Sequence, residues 1–172
     1  MNRVLPSLFF GILSMEDETL YYQAKQKLIH EFGEIFYESN SIAVSLQDTS
    51  PFAKEKISYY TKILSFKQKM NREELPERFL KTKKIEKKVN GKLGKNKIEV
   101  GYINLHNVVL ANSQDDFQRT YLFHGVFGEV IYHYQSSKFF PLETTPKFFQ
   151  SRDVLYFFTT LRDGFELNSK KT

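Results

Sequence analysis

Glu129 stands among apolar neighbours in "GVFGEVIY", where an acid either serves as a general base or sits on the outer face of a strand. Gln118 and Arg119, ten or so residues upstream, are the polar side chains a hairpin would bring nearest to it. Asp115 and Asp116 form a carboxylate pair, but their setting in "NSQDDF" is that of a turn. The histidines His30, His106, His124 and His133 show neither an H-x-H nor an i, i+4 spacing, so no metal site is expected. No P-loop, dinucleotide-binding glycine motif, G-x-S-x-G elbow or H-E-x-x-H stands in the chain. "NGKLGKNK" brings glycines and lysines together without the P-loop spacing. No cofactor is implied.

A second kind of chemistry lies in the charge distribution. The chain carries +5 overall, yet between Lys62 and Lys97 thirteen basic residues face four acids, +9 against −4 for the remainder. Lys83, Lys84, Lys87 and Lys88 lie at the centre of that stretch. Such asymmetry suits a surface for RNA, a nucleotide or another polyanion, and equally a solvated lysine-rich helix and loop.

These residues must be positioned by a fold, and composition bounds it. A chain of 172 residues can bury a core without metals or disulfides. The absence of cysteine excludes disulfides and thiolate chemistry and points to the cytoplasm. The apolar run near the N-terminus is broken by Pro6 and followed by Glu16, Asp17 and Glu18, which fits a buried strand rather than a signal peptide. No apolar segment approaches the roughly 20 residues of a membrane-spanning helix, so integral membrane association is not expected.

Along the chain, "LFFGIL" predicts a strand over Phe9 to Leu13, with Ser14 as the N-cap of a helix bearing Leu20, Tyr21, Ala24, Leu28 and Phe32 at helical spacing and stopping at Gly33. "IFYES", "SIAVSL" and "YYTKILSF" read as extended, with a turn at "DTSP". A helix capped at Asn71 follows, then a basic loop and the strand "KIEVGYI". "NLHNVVLANS" suits strand or helix, and helix is the reading taken here. "QRTYLF" and "VFGEVIYHY" predict a hairpin about His124-Gly125. "FFPLETTPKFF" reads as loop or edge strand, and "RDVLYFFTTLRD" as the last helix. The expected fold is α+β: a single domain over residues 1–168 with helices packed on one face of a mixed or mostly antiparallel sheet, and a frayed tail at 169–172.

If His124-Gly125 is the whole loop, Phe123 faces Val126, Leu122 faces Phe127 and Thr120 faces Glu129. Gln118, Thr120 and Glu129 then share one face, while Arg119, Tyr121 and Val130 take the other. One residue of slip would invert the assignment.

From "VGYINLHNVVLANSQDDFQRTYLFHGVFGEV" the chain resembles the bacterial family known as domain of unknown function 4416, and the similarity extends from "LFFGIL" to "RDVLYFF". Gly101, Tyr102, Asp115, Arg119, Tyr121, Leu122, Gly125, Glu129 and Val130 match the family's pattern, as do Thr82 and Glu86 in "LPERFLKTKKIE". The departures fall on polar positions: Lys83 replaces an asparagine, Phe79 and Gln114 replace lysines, Glu99-Val100 replace Asp-Pro, Gln118 replaces a histidine and Lys147 an aspartate. A family site built on that histidine and glutamate would here lack its titrating partner, because glutamine binds but exchanges no proton near neutral pH. A GTP-binding label carried by some members finds no P-loop here.

Three functions follow as expectations. The first is a non-catalytic module that binds an anionic partner through the Lys62–Lys97 region, with Thr82, Lys83, Lys84, Glu86, Lys87, Lys88, Tyr102, Gln118 and Arg119 as binding residues. The second is an enzyme acting on a small phosphorylated or nucleotide substrate, with Glu129 as base and Arg119 or Lys83 as anion clamp. The third is a protein-interaction subunit docking through exposed aromatics.

Overall fold

The computed structural model describes residues 6–43 and 59–169. Strand β1 (Ser7–Met15) is buried along nearly its whole length, which explains why its sequence is a continuous apolar run instead of an alternation. Phe10 and Ile12 point into one core, Phe9, Leu13 and Met15 into another on the opposite face of the sheet. The strand therefore runs past Ser14, whose Oγ accepts a hydrogen bond from Thr61 Oγ1, and the expected cap moves. Asp17 caps helix α1 (Glu18–Phe32) instead, its carboxylate accepting the Leu20 N–H at 2.8 Å. Tyr21, Ala24, Leu28 and Phe32 form the buried stripe, and Gly33 ends the helix at φ 93°.

Strands β2 (Ile35–Glu38) and β3 (Tyr60–Met70) follow; within "SIAVSL" Ile42 makes an isolated bridge to Thr61, and residues 44–46 of that segment and the "DTSP" turn lie outside the described residues. After a 3-10 turn over Arg72–Glu74, in which the Asn71 N–H donates to the Glu74 carboxylate, comes helix α2 (Leu75–Asn90) with Pro76 in its first turn. Strand β4 (Lys97–Ile103) then turns sharply into β5 (Asn107–Asn112).

The helix expected over "NLHNVVLANS" is thus a strand. Asn104 reverses the chain, its side-chain oxygen accepting the N–H groups of His106 and Asn107 at 2.8 and 3.0 Å. Val108 and Leu110 then face one core and Val109 and Ala111 the other, a burial on both faces that erases the period-two signal.

Strands β6 (Thr120–Phe123), β7 (Val126–Gln135) and β8 (Lys138–Pro141) complete an antiparallel sheet in the order β2-β3-β1-β4-β5-β7-β6, with β8 also beside β7. Helix α3 (Arg152–Ser169) closes the described chain and extends through Ser169, one residue into the expected tail.

The fold is α+β as expected, but the helices occupy both faces of the sheet. Helices α1 and α2 cover Phe9, Leu13, Val100 and Val109; α3 covers Phe10, Ile12, Leu110 and Ile131. The cause is the apolar stripe of α3, in which Val154, Phe157, Phe158, Leu161 and Phe165 are all buried, at about 2 kcal/mol for each large side chain removed from water. A sheet apolar on both sides requires cover on both. Among the described residues no helix is long and apolar enough to cross a membrane.

Candidate functional site

The hairpin loop is His124-Gly125, with φ of 50° and 74°, and Phe123 pairs with Val126 as the turn requires. Beyond that pair the expected register fails. Tyr121, not Leu122, faces Phe127, and Thr120 faces Gly128, because Leu122 forms a bulge whose side chain lies over Gly128. One extra residue inverts every side chain upstream.

Arg119 consequently comes to Glu129, with its Nε 3.5 Å from Oε2, and does not take the opposite face. The Gln118 amide donates to Glu129 Oε1 at 3.2 Å from the loop that precedes β6. Arg119 Nη1 also donates to the Gln114 carbonyl at 2.9 Å, tying that loop to the sheet. Glu129 is 2% exposed. Its strand neighbour Leu110 belongs to the core under α3, so Glu129 continues a row that crosses the sheet through Tyr37, Ser65, Phe10, Gly101 and Leu110. A buried carboxylate beside a guanidinium and an amide is a built site, capable of orienting a polar group or of fixing the 114–119 loop.

Thr82, Lys83 and Glu86 lie elsewhere, on the opposite face of the sheet. Thr82 is buried and donates to the Arg78 carbonyl one turn back. Glu86 Oε2 accepts the Ile98 N–H at 2.7 Å, and Lys83 Nζ donates to the Ile98 carbonyl at 3.1 Å and to Glu86 at 2.9 Å. The pair stands in for a missing strand: β5 pairs with β4 only over Gly101–Ile103, and the two diverge beyond. The split leaves a cavity of about 230 Å³ lined by Phe79, Lys83, Lys97, Glu99 and the 111–114 segment. Tyr102 shares this face, half-buried under the Arg72 guanidinium at 5.9 Å from its ring centre; burial raises its phenol pKa, and Arg72 opposes that. The predicted binding residues therefore form two groups, one on each side of the sheet. Neither proposed anion clamp is a bare cation, since Arg119 engages Glu129 and Lys83 engages Glu86.

The basic stretch also divides. Lys62, Lys67, Arg78, Lys81, Lys83 and Lys97 each pair with an acid, while Lys69 and Arg72 lie over the rings of Phe165 and Tyr102. Lys84, Lys87, Lys88, Lys92 and Lys95 are exposed and have no acidic partner among the described residues. All five lie on the last turns of α2 and the loop after it.

One cluster escaped sequence reasoning. Glu38 at the end of β2 receives Tyr21 Oη at 2.6 Å, Lys25 Nζ at 2.5 Å and Lys62 Nζ at 2.9 Å. Burial alone would raise the Glu38 carboxyl, but hydrogen bonds from Lys25, Tyr21 and Lys62 outweigh it and bring the pKa down to about 2. Burial and then Glu38 push the Tyr21 phenol up; for Lys62, burial opposes and Glu38 prevails, so its ammonium is also held on. The only signal available was Glu38 itself, an acid closing an apolar strand.

His30 sits exposed in the last turn of α1, His124 in the hairpin turn against Phe123, and His106 and His133 on the surface. Among the described residues no three His, Asp or Glu side chains gather as metal ligands would. Asp115 and Asp116 are exposed, and the Asp116 carbonyl accepts the Arg119 N–H in the turn before β6. The model of the family described as Domain of unknown function (DUF4416) matches residues 5–165, so the chain belongs to that family. Neither a curated protein nor a solved structure matches the chain.

Proposed function

We propose that this member of the family is a non-catalytic binding module for a polyanion, with single-stranded RNA as the partner, held by Lys84, Lys87, Lys88, Lys92 and Lys95. The observation that carries the reading is that these five ammonium groups have no acidic partner among the described residues, whereas the ion-paired lysines around them do. Lys84 and Lys88 are one turn apart, about 6 Å along the helix, which matches successive phosphates of a flexible strand better than the single cluster of a nucleotide. Leu93, 89% exposed between Lys92 and Lys95, offers apolar contact to a base. Among the described residues no aromatic platform joins it, so the expected binding is electrostatic and tolerant of sequence. The competing role for Lys87 and Lys88 is to favour the carbonyl end of α2, which needs no ligand.

The test is fluorescence anisotropy of a labelled single-stranded RNA across a salt series, with Lys84, Lys87, Lys88, Lys92 and Lys95 changed to Gln in one variant. A log–log salt slope that flattens by about 0.7 for each phosphate contact removed supports the reading. Absence of binding at low salt, or a slope unchanged in the variant, overturns it. Binding of a nucleoside triphosphate with equal affinity would transfer the site to the nucleotide alternative.

A further inference from the structure

We propose that the outer edge of β6 is a homodimer interface, at which two copies pair their β6 strands antiparallel about a two-fold axis. Strand β6 is the last in the sheet order, and among the described residues nothing pairs with its outer side. An open edge presents a row of backbone donors and acceptors, and what completes it is another strand.

The three edge strands among the described residues differ in how they are guarded. Strand β2 is flanked by Glu34 and ends at Glu38, both in ion pairs, and all four of its residues are at least half-buried. Strand β8 carries Lys138 and Pro141, a charge and a residue that cannot donate. Strand β6, "TYLF", has neither charge nor proline, and all four residues are exposed. Tyr121 and Phe123 are 59% and 58% exposed, and Phe117, just before the strand, is 87% exposed. This is the combination that surface strands ordinarily avoid.

The occupant is a second copy for two reasons. A strand laid antiparallel on itself is its own partner, because a two-fold axis between copies places the same patch on both sides. From Thr120 to Gly128 no Asp, Glu, Lys or Arg occurs, so two molecules of net charge +5 meet here without local repulsion, while a charged peptide finds nothing to pair with. Among the described residues the bulge at Leu122 guards this edge, which is only four residues long. It shortens the ladder a partner can form, so the dimer should be reversible.

Sedimentation velocity of the full chain over two decades of concentration tests the inference, without nucleic acid present. A monomer–dimer equilibrium is expected, and Tyr121→Lys with Phe123→Lys should weaken it by about tenfold or more, since two added charges per strand face their own copies. Both side chains are exposed, so far-UV circular dichroism should be unchanged. The cysteine-free sequence gives a second readout that leaves the fold intact: Tyr121→Cys or Leu122→Cys should form an intermolecular disulfide on mild oxidation, and Leu93→Cys should not. A monomer at every concentration, a dimer indifferent to the lysines, or equal crosslinking at position 93 overturns the proposal.

Discussion

Arg119 faces Glu129 across the hairpin, Nε to Oε2 at 3.5 Å, in the place that a two-residue turn alone would give to Thr120. The bulge at Leu122 makes the exchange, and the carboxylate it satisfies is 3% exposed at its side chain. Removing one partner of such a pair leaves the other desolvated. Arg119→Met should therefore destabilise the protein by about 3 kcal/mol, and Arg119→Met with Glu129→Met by clearly less than the two single changes added. Urea unfolding of the four proteins of this cycle measures it, and additive effects would show the pair to be uncoupled.

Gly101 lies in the same row of the sheet, and its importance is steric. A Cβ there would stand 2.1 Å from the Val109 carbonyl oxygen and 2.7 Å from Phe10 Cζ, and the first of these is backbone that cannot swing away. Gly101→Ala should cost about 3 kcal/mol or prevent folding. Gly128→Ala makes the useful contrast: its Cβ would meet the Leu122 and Val109 side chains at 3.3 and 3.4 Å, and Leu122 is exposed and can yield. A loss of about 1 kcal/mol or less is expected there, and thermal or urea denaturation of the two variants gives the ranking.

These positions mark where sequence reasoning stops. The loop was legible because His124 and Gly125 tolerate positive φ, and α1 because its apolar stripe repeats at three and four residues up to a glycine. The register was not, since a bulge depends on Leu122 packing over Gly128, a contact no local pattern encodes. Strand β5 passes for a helix in the sequence because burial on both faces removes the alternation that separates strand from helix, and the Asn104 turn is the one local signal against it. The Glu38 cluster draws on residues 21, 25, 38 and 62, brought together by pairing of β2 with β3 and packing of α1, and so left no spacing to find.

That cluster sets an expectation for acid. The Glu38 carboxyl is held at about 2 against an ordinary 4.5, so the folded state binds fewer protons than the unfolded chain between those values. Its contribution is present above about pH 4.5 and lost as the pH falls toward 2. With solvent screening of a partly exposed group, about 1 to 2 kcal/mol is at stake. Urea midpoints of the native chain should fall across that window more steeply than those of Glu38→Gln, and parallel curves would remove Glu38 from the acid response.

The split between β4 and β5 supplies the last prediction. A strand edge without a neighbour normally takes water, yet the Ile98 N–H is bound at 2.7 Å by Glu86 and its carbonyl at 3.1 Å by Lys83. The two side chains imitate the donor and acceptor that β5 would have offered had it continued beside β4. Glu86→Ala removes the acceptor and leaves Lys83 without its counter-ion, which should cost about 1 to 2 kcal/mol and act locally. Amide exchange monitored residue by residue should show Ile98 losing protection while Tyr102, on the part of β4 that pairs with β5, retains its own. Equal loss at both amides would mean that α2 as a whole, through Phe79 and Leu75 in the core, and not this carboxylate, holds the edge.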